Sequence, residues 1–145
     1  MRNVLAIFFS INLIAMISCS KNEVTSNKVK SPFTVMYELT SSSSIVSGES
    51  VGLLYTNSAQ GTSRVNSSDI PSLPWKKTIT VTDDIRPLTF AFKAISICLK
   101  GSGTITGNIY INGTKKASVT ESSNKAGGSS NLKDYATLNM QYIVE

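Results

Sequence analysis

Histidine is absent from the sequence, which removes at once the commonest general base and the commonest metal ligand. Cysteine is nearly absent. Only Cys19 and Cys98 occur, and Cys19 stands where an export signal ends, so no internal disulfide is expected. No Gly-x-Ser-x-Gly elbow is present, and without an imidazole the many serines lack their usual activating base. A Ser-x-x-Lys spacing does occur at Ser18 to Lys21, but it straddles the expected cleavage point. These absences point away from an enzyme, with no catalytic residue, no metal ligand set and no cofactor expected. Charge is also scarce, at 16% of residues and a net +5. That excess is too small and too scattered for nucleic acid, which calls for a basic stripe.

What is present begins with an export signal. Met1-Arg2-Asn3 leads into a mostly apolar stretch from Val4 to Ile17, interrupted by Ser10 and Asn12. At about 14 residues it is long enough for a signal peptide and too short for a permanent span, which needs roughly 18–20. Small Ser18 then precedes Cys19. Met16-Ile17-Ser18-Cys19 resembles the lipobox of bacterial lipoproteins, with Met16 where leucine is usual. The resemblance implies diacylglycerol on the Cys19 thiol and a further fatty acyl chain on its freed amine. Two or more chains hold a protein stably where one does not. Residues 1–18 are thus read as the signal peptide and 19–31 as a polar tether without aromatics. Ser20, with no aspartate beside it, is similar to outer-membrane-directed examples, and Glu23 stands alone where a surface-export tag would be acidic. A periplasm-facing outer-membrane location is expected, with surface exposure as the alternative.

Residues 32–145 form a single-domain length, and their hydrophobic period is two. Phe33, Val35, Tyr37 and Leu39 share one face of a strand. Val51, Leu53 and Tyr55 begin a second, turned by Asn57 to Gly61, with a weaker strand near Ser63 to Asn66. Two prolines in Ile70-Pro71-Ser72-Leu73-Pro74-Trp75 exclude a central strand and indicate an edge or a crossing between sheets. Lys77, Ile79 and Val81 alternate with threonines. Leu88, Phe90, Phe92 and Ala94 then change phase to Ile95, Ile97 and Leu99, which predicts a β-bulge near Ala94. Ile105 to Ile111 and Lys115 to Val119 flank Asn112-Gly113, a pair suited to the positive φ angles of a type I′ hairpin. A loose loop is expected over residues 122–130 and a last strand through Ala136, Leu138, Met140, Tyr142 and Val144. The expected fold is all-β: an immunoglobulin-like antiparallel β-sandwich of about seven strands following the signal peptide.

Four stations of this domain carry a family likeness. They are Val35-Met36-Tyr37-Glu38-Leu39, Val51-Gly52-Leu53-Leu54-Tyr55-Thr56-Asn57, Ser72-Leu73-Pro74-Trp75-Lys76-Lys77-Thr78, and Ile109-Tyr110-Ile111-Asn112-Gly113. In order and spacing they resemble the mycobacterial membrane protein small (MmpS) type of domain, with Leu73-Pro74-Trp75 the most specific station. The likeness implies a small periplasmic β-sandwich that accompanies resistance-nodulation-division exporters of lipids or siderophores. There are two departures. Family members often begin with a transmembrane helix, where this chain carries a lipobox. They also often hold a cysteine pair near the last strands, at positions that match Gly107 and the region 136–138 here, where no sulfur occurs.

Trp75, Lys76 and Lys77 are the candidate binding residues. Trp75 has two readings: an exposed anchor for a partner or sugar ring, or an aromatic cap on one end of the core with its N–H bonded to backbone. Lys76-Lys77, Lys115-Lys116 and Lys93 offer a basic rim for anionic headgroups or, more blandly, a solvated face. Cys98 reads as a buried small hydrophobe, and Asp83-Asp84 as a turn pair without the Asp-x-Asp-x-Asp-Gly pattern of a calcium loop. The functional expectation is a non-catalytic accessory or binding lipoprotein of the cell envelope, with the membrane and an envelope transporter or its cargo as partners. The alternatives are a module that captures a glycan or protein, using the loops at 41–47 and 122–130, and a purely structural envelope protein.

Overall fold

The computed structural model describes residues 28–46, 52–70, 72–125 and 134–145. The expected signal peptide, Cys19 and the expected tether through residue 27 lie outside the described residues, as do Val51, Pro71 and most of the loop expected at 122–130. The strands are β1 (Phe33–Ser41), β2 (Gly52–Thr56), β3 (Thr62–Asn66), β4 (Trp75–Val81), β5 (Leu88–Leu99), β6 (Thr104–Ile111), β7 (Thr114–Ser122), β8 (Asn124–Lys125) and β9 (Asp134–Val144). A single 3₁₀ turn at Ser67–Asp69 interrupts them. Among the described residues no helix is long and apolar enough to cross a membrane.

Two antiparallel sheets result, ordered β4-β1-β6-β7 and β3-β2-β5-β9-β8. The chain leaves the first sheet after β1, enters the second as β2, returns at β4 and leaves again at β5. Pairs β1/β4 and β2/β5 therefore interlock across the two layers, as the central strands of an immunoglobulin-like sandwich do. The proline-framed segment before Trp75 is one of these crossings, because proline cannot supply the N–H that a ladder needs. The protein is an all-β sandwich of immunoglobulin-like outline.

Alternation decides which side chains meet between the layers. Phe33, Val35, Tyr37 and Leu39 are buried while Thr34 is exposed. Tyr37 lies 5.3 Å from Tyr55 and 5.6 Å from Phe92, ring centre to ring centre, and Phe33 meets Phe90 edge-on at 6.0 Å. The buried Tyr37 hydroxyl donates to the Thr56 carbonyl at 2.7 Å, and the Thr56 hydroxyl accepts the Ala91 N–H at 2.9 Å. Both inward polar groups are thus paired, as burial requires. Desolvation and then the neighbouring Tyr55 push the Tyr37 hydroxyl well above the ordinary phenol value, against the opposing pull of its bond to Thr56.

The predicted bulge is present: the β5–β9 register shifts between Ala94 and Ile97, and Ser96 takes φ 46°. Beyond it Ile97 and Leu99 return to the core. Cys98, fully buried between them, has its carbonyl bonded by the Val46 N–H at 2.8 Å. The hairpin at Asn112-Gly113 has φ of 48° and 76°, the positive angles its residues were selected for. One expectation needs correction. Residues 122–125 are not loop: Ser122 ends β7 and Asn124–Lys125 pair with Tyr135 and Asp134 as β8. Polar sequences give no apolar alternation to read, so a short edge strand of this kind is decided by its partner.

Gly107 shows how closely the sheets approach. A Cβ built there would lie 2.8 Å from Leu138 Cδ2 and 3.0 Å from Met140 Sδ, the ends of two side chains that would have to shift to admit a larger residue.

Candidate functional site

The sandwich has two unlike ends. At one, residues 28–31 enter. The Arg86 guanidinium donates to the Val29 carbonyl at 2.9 Å, to Ser31 Oγ at 3.1 Å, to the Asp83 carbonyl at 2.7 Å and to the Ile85 carbonyl at 3.2 Å. It also sits 5.2 Å from the centre of the Phe33 ring. Asp83 serves this turn by accepting the Ile85 N–H at 2.9 Å. From Phe33, β1 runs nine residues, roughly 26 Å at about 3.3 Å per step, to the opposite end.

There a cleft of about 450 Å³ opens, lined by Ser41, Ser42, Ser43, Ser44, Ile45, Ser72 and Leu73. Its geometry follows from one register. Leu39 pairs with Trp75, so the residues just after β1 and just before β4 face each other where the ladder stops. The serine segment is braced from behind by the 98–104 turn. Ser42 N–H donates to the Thr104 carbonyl at 3.0 Å and Lys100 N–H to the Ser44 carbonyl at 2.8 Å. Thr104 N–H donates to Ser42 Oγ at 2.9 Å, and Ser43 Oγ to the Ser102 carbonyl at 3.1 Å. Ser41 Oγ both donates to the Ser43 carbonyl and accepts its N–H. Among the described residues no charged side chain lines the cleft, so these residues offer hydroxyls and two aliphatic side chains, a surface for an uncharged polar ligand.

Trp75 lies beneath this end. It is 9% exposed, stacked on Phe92 at 5.9 Å and 13°, and tilted against Tyr55 at 6.1 Å. Of its two readings the geometry matches the aromatic cap on the core. Lys76 and Lys77 do not join the cleft. Lys76 Nζ pairs with Glu38 Oε1 at 3.0 Å on the outer face of the first sheet. Lys77 stands opposite Tyr37 on edge strand β4, exposed. Nor does the basic rim assemble: Lys115 lies over Tyr110 on the first sheet, while Lys93 pairs with Leu54 and Asn139 on the second. Their spacing in sequence spans strands of different layers, which separates them.

Glu38 instead organises a polar cluster. It accepts from Lys76, from Asn108 Nδ2 at 3.0 Å and from the Tyr110 hydroxyl at 2.8 Å, and Ser118 Oγ donates to Asn108 Oδ1 at 2.8 Å. Burial by itself would raise the Glu38 carboxyl. The bonds from Lys76, Tyr110 and Asn108, with the lysine charge, outweigh burial and hold it below the usual carboxylate value. The same bond to Glu38, followed by burial, raises the Tyr110 hydroxyl.

Sequence reasoning singled out the serine loop but did not join it to Ser72 and Leu73. The signal was available in the Leu-Pro-Trp station, since a crossing that ends in a strand beside β1 must pass the end of β1. Fold and site together define a β-sandwich with a serine-lined cleft at the end away from residues 28–31. Compared with known proteins, the sequence matches no family model and no curated protein.

Proposed function

We propose that the protein is a lipid-anchored, non-catalytic binding module of the cell envelope, held through Cys19 in the outer membrane and facing the periplasm. The observation that carries this reading is the placement of tether and cleft at opposite ends of β1. A domain anchored through its N-terminus then presents the cleft away from the bilayer, toward soluble ligands or a partner. The neutral, hydroxyl-rich lining suits a glycan, recognised by hydroxyl-to-hydroxyl bonds over the Ile45 and Leu73 side chains. The test has two arms. Cys19→Ala should move the protein from membrane to soluble fractions. Ser72→Tyr, which fills the cleft, should abolish the chemical-shift changes that neutral oligosaccharides such as maltotriose or cellotriose induce at residues 41–45. Oligosaccharides that shift neither protein, or a Cys19→Ala protein still in the membrane, would count against the reading.

A second reading, an accessory of a resistance-nodulation-division exporter, draws on the MmpS-type stations. The approach of Gly107 to Leu138 favours it, because one residue of the matching region 136–138 is thereby a neighbour of Gly107 across the two sheets. Replacing Gly107 and Leu138 with cysteine should yield a disulfide that forms under mild oxidation. Co-purification of an exporter subunit with the lipidated protein, reduced by Cys19→Ala, would select this reading over ligand capture.

A further inference from the structure

The end at which the tether enters carries the most exposed large apolar side chain among the described residues, Ile85, at 73%. Its loop is internally braced. The Ile85 N–H is taken by Asp83 Oδ1 and its carbonyl by Arg86, while the Asp83 carbonyl accepts from both Arg86 and Ser31. A loop tip whose own N–H and C=O are already paired can enter a lipid interface without stripping water from unmatched backbone groups. Cations lie at the same end. Lys28, Lys30 and Arg86 line a cleft of about 420 Å³ together with Val29, Asp84 and Glu145. The β6–β7 hairpin, tied to this end by bonds between Thr34 and Asn112, brings Lys115 and Lys116. Cationic side chains therefore outnumber the carboxylates of Asp83, Asp84 and Glu145, and Asp83 is engaged by the Ile85 N–H.

We propose that this end of the sandwich docks onto an anionic lipid bilayer, with Ile85 in the interfacial layer and Lys28 and Lys30 at the headgroups. The proposal takes its setting from the lipid-anchor reading and adds an orientation to it. The acyl chains fix the protein to the membrane, and the Arg86-braced loop stands the domain on end so that the serine cleft faces outward. A tether of this polarity would otherwise let the domain swing freely.

The docking is measured with the chain from residue 19 onward carrying Cys19→Ala, so that no acyl chain contributes. It is mixed with vesicles of phosphatidylcholine alone or with phosphatidylglycerol added, and bound protein is read by co-sedimentation. Binding should rise about fivefold or more with the anionic lipid and fall by a similar factor on Ile85→Asp. Ile85 is exposed, so that variant should keep its far-UV circular dichroism and denaturation midpoint. Ser102→Asp, an exposed position in the turn at the opposite end, should leave vesicle binding unchanged. Absence of binding, equal binding to both vesicle types, or indifference to Ile85→Asp overturns the proposal, and Ile85 is then a protein contact. Loss of binding in Ser102→Asp overturns the end-on orientation. Membrane fractionation of Cys19→Ala in cells is scored separately, so failure of the anchor and failure of the docking are distinguishable.

Discussion

The two ends of the sandwich are closed by different means. At the tether end one side chain, Arg86, gathers four oxygen acceptors and lies over Phe33. At the cleft end the loops are laced by backbone bonds and short serine hydroxyls, and the core beneath is capped by Trp75. A guanidinium can bind several carbonyls at once because its donors are held in a planar fork. It therefore draws separate segments onto one side chain. Each serine hydroxyl serves only one or two partners, so several of them are needed to join the loops at the other end. The charged end suits attachment, and the hydroxyl-lined one suits recognition.

The largest expected effect separates cap from cleft. Trp75→Ala should destabilise the domain by about 3–5 kcal/mol, the usual cost of removing a large buried aromatic. Urea unfolding should be followed by circular dichroism, since the substitution removes the only tryptophan. A loss under about 1 kcal/mol would mean that the ring is dispensable to the core and restore its reading as a surface anchor.

Next is the tether end. Arg86→Ala should cost about 2–3 kcal/mol, the range for charge-assisted hydrogen bonds that leave carbonyls unmatched. It should also open residues 28–31 to proteolysis. Arg86→Lys should recover little, because a point charge cannot serve four acceptors in the same geometry. Full recovery by lysine would show that charge rather than the fork closes this end.

Between the ends, the Glu38 cluster gives the smallest effect and a pH signature. Its folded carboxyl lies below the unfolded value near 4.5. The stabilisation is therefore present above that value and lost as pH falls through the folded one. Glu38→Gln should reduce stability at neutral pH by about 1 kcal/mol, since Lys76 is half exposed and solvent screens the pair. The gap from wild type should close on acidification. An unchanged pH profile would mean that the cluster is a contact without energetic weight.

Much of the fold was legible because alternation survives in the folded state. The face of β1, the bulge in β5 and the hairpin at Asn112-Gly113 each rest on a local signal: a period of two, a change of phase, a residue pair tolerant of positive φ. The site was half legible. The serine loop stood out by composition, but Ser72 and Leu73 lie about thirty residues away along the chain, and only the Leu39–Trp75 register places them across from it. The structure distributes the lysines between the two layers, because spacing along the chain carries no record of which layer a strand joins.

The sequence by itself determined the class: strands rather than helices, inward faces of aromatic and branched side chains, and a domain without histidine chemistry. Those properties follow from steric period and side-chain type, which act over a few residues. The tertiary structure alone decided that Trp75 is core, that Glu38 gathers Lys76, Asn108 and Tyr110, and that Gly107 lies against Leu138. It also decided that tether and cleft lie at opposite ends. Each of these depends on pairing between strands far apart in the chain, whose register is set by the packing of both sheets at once.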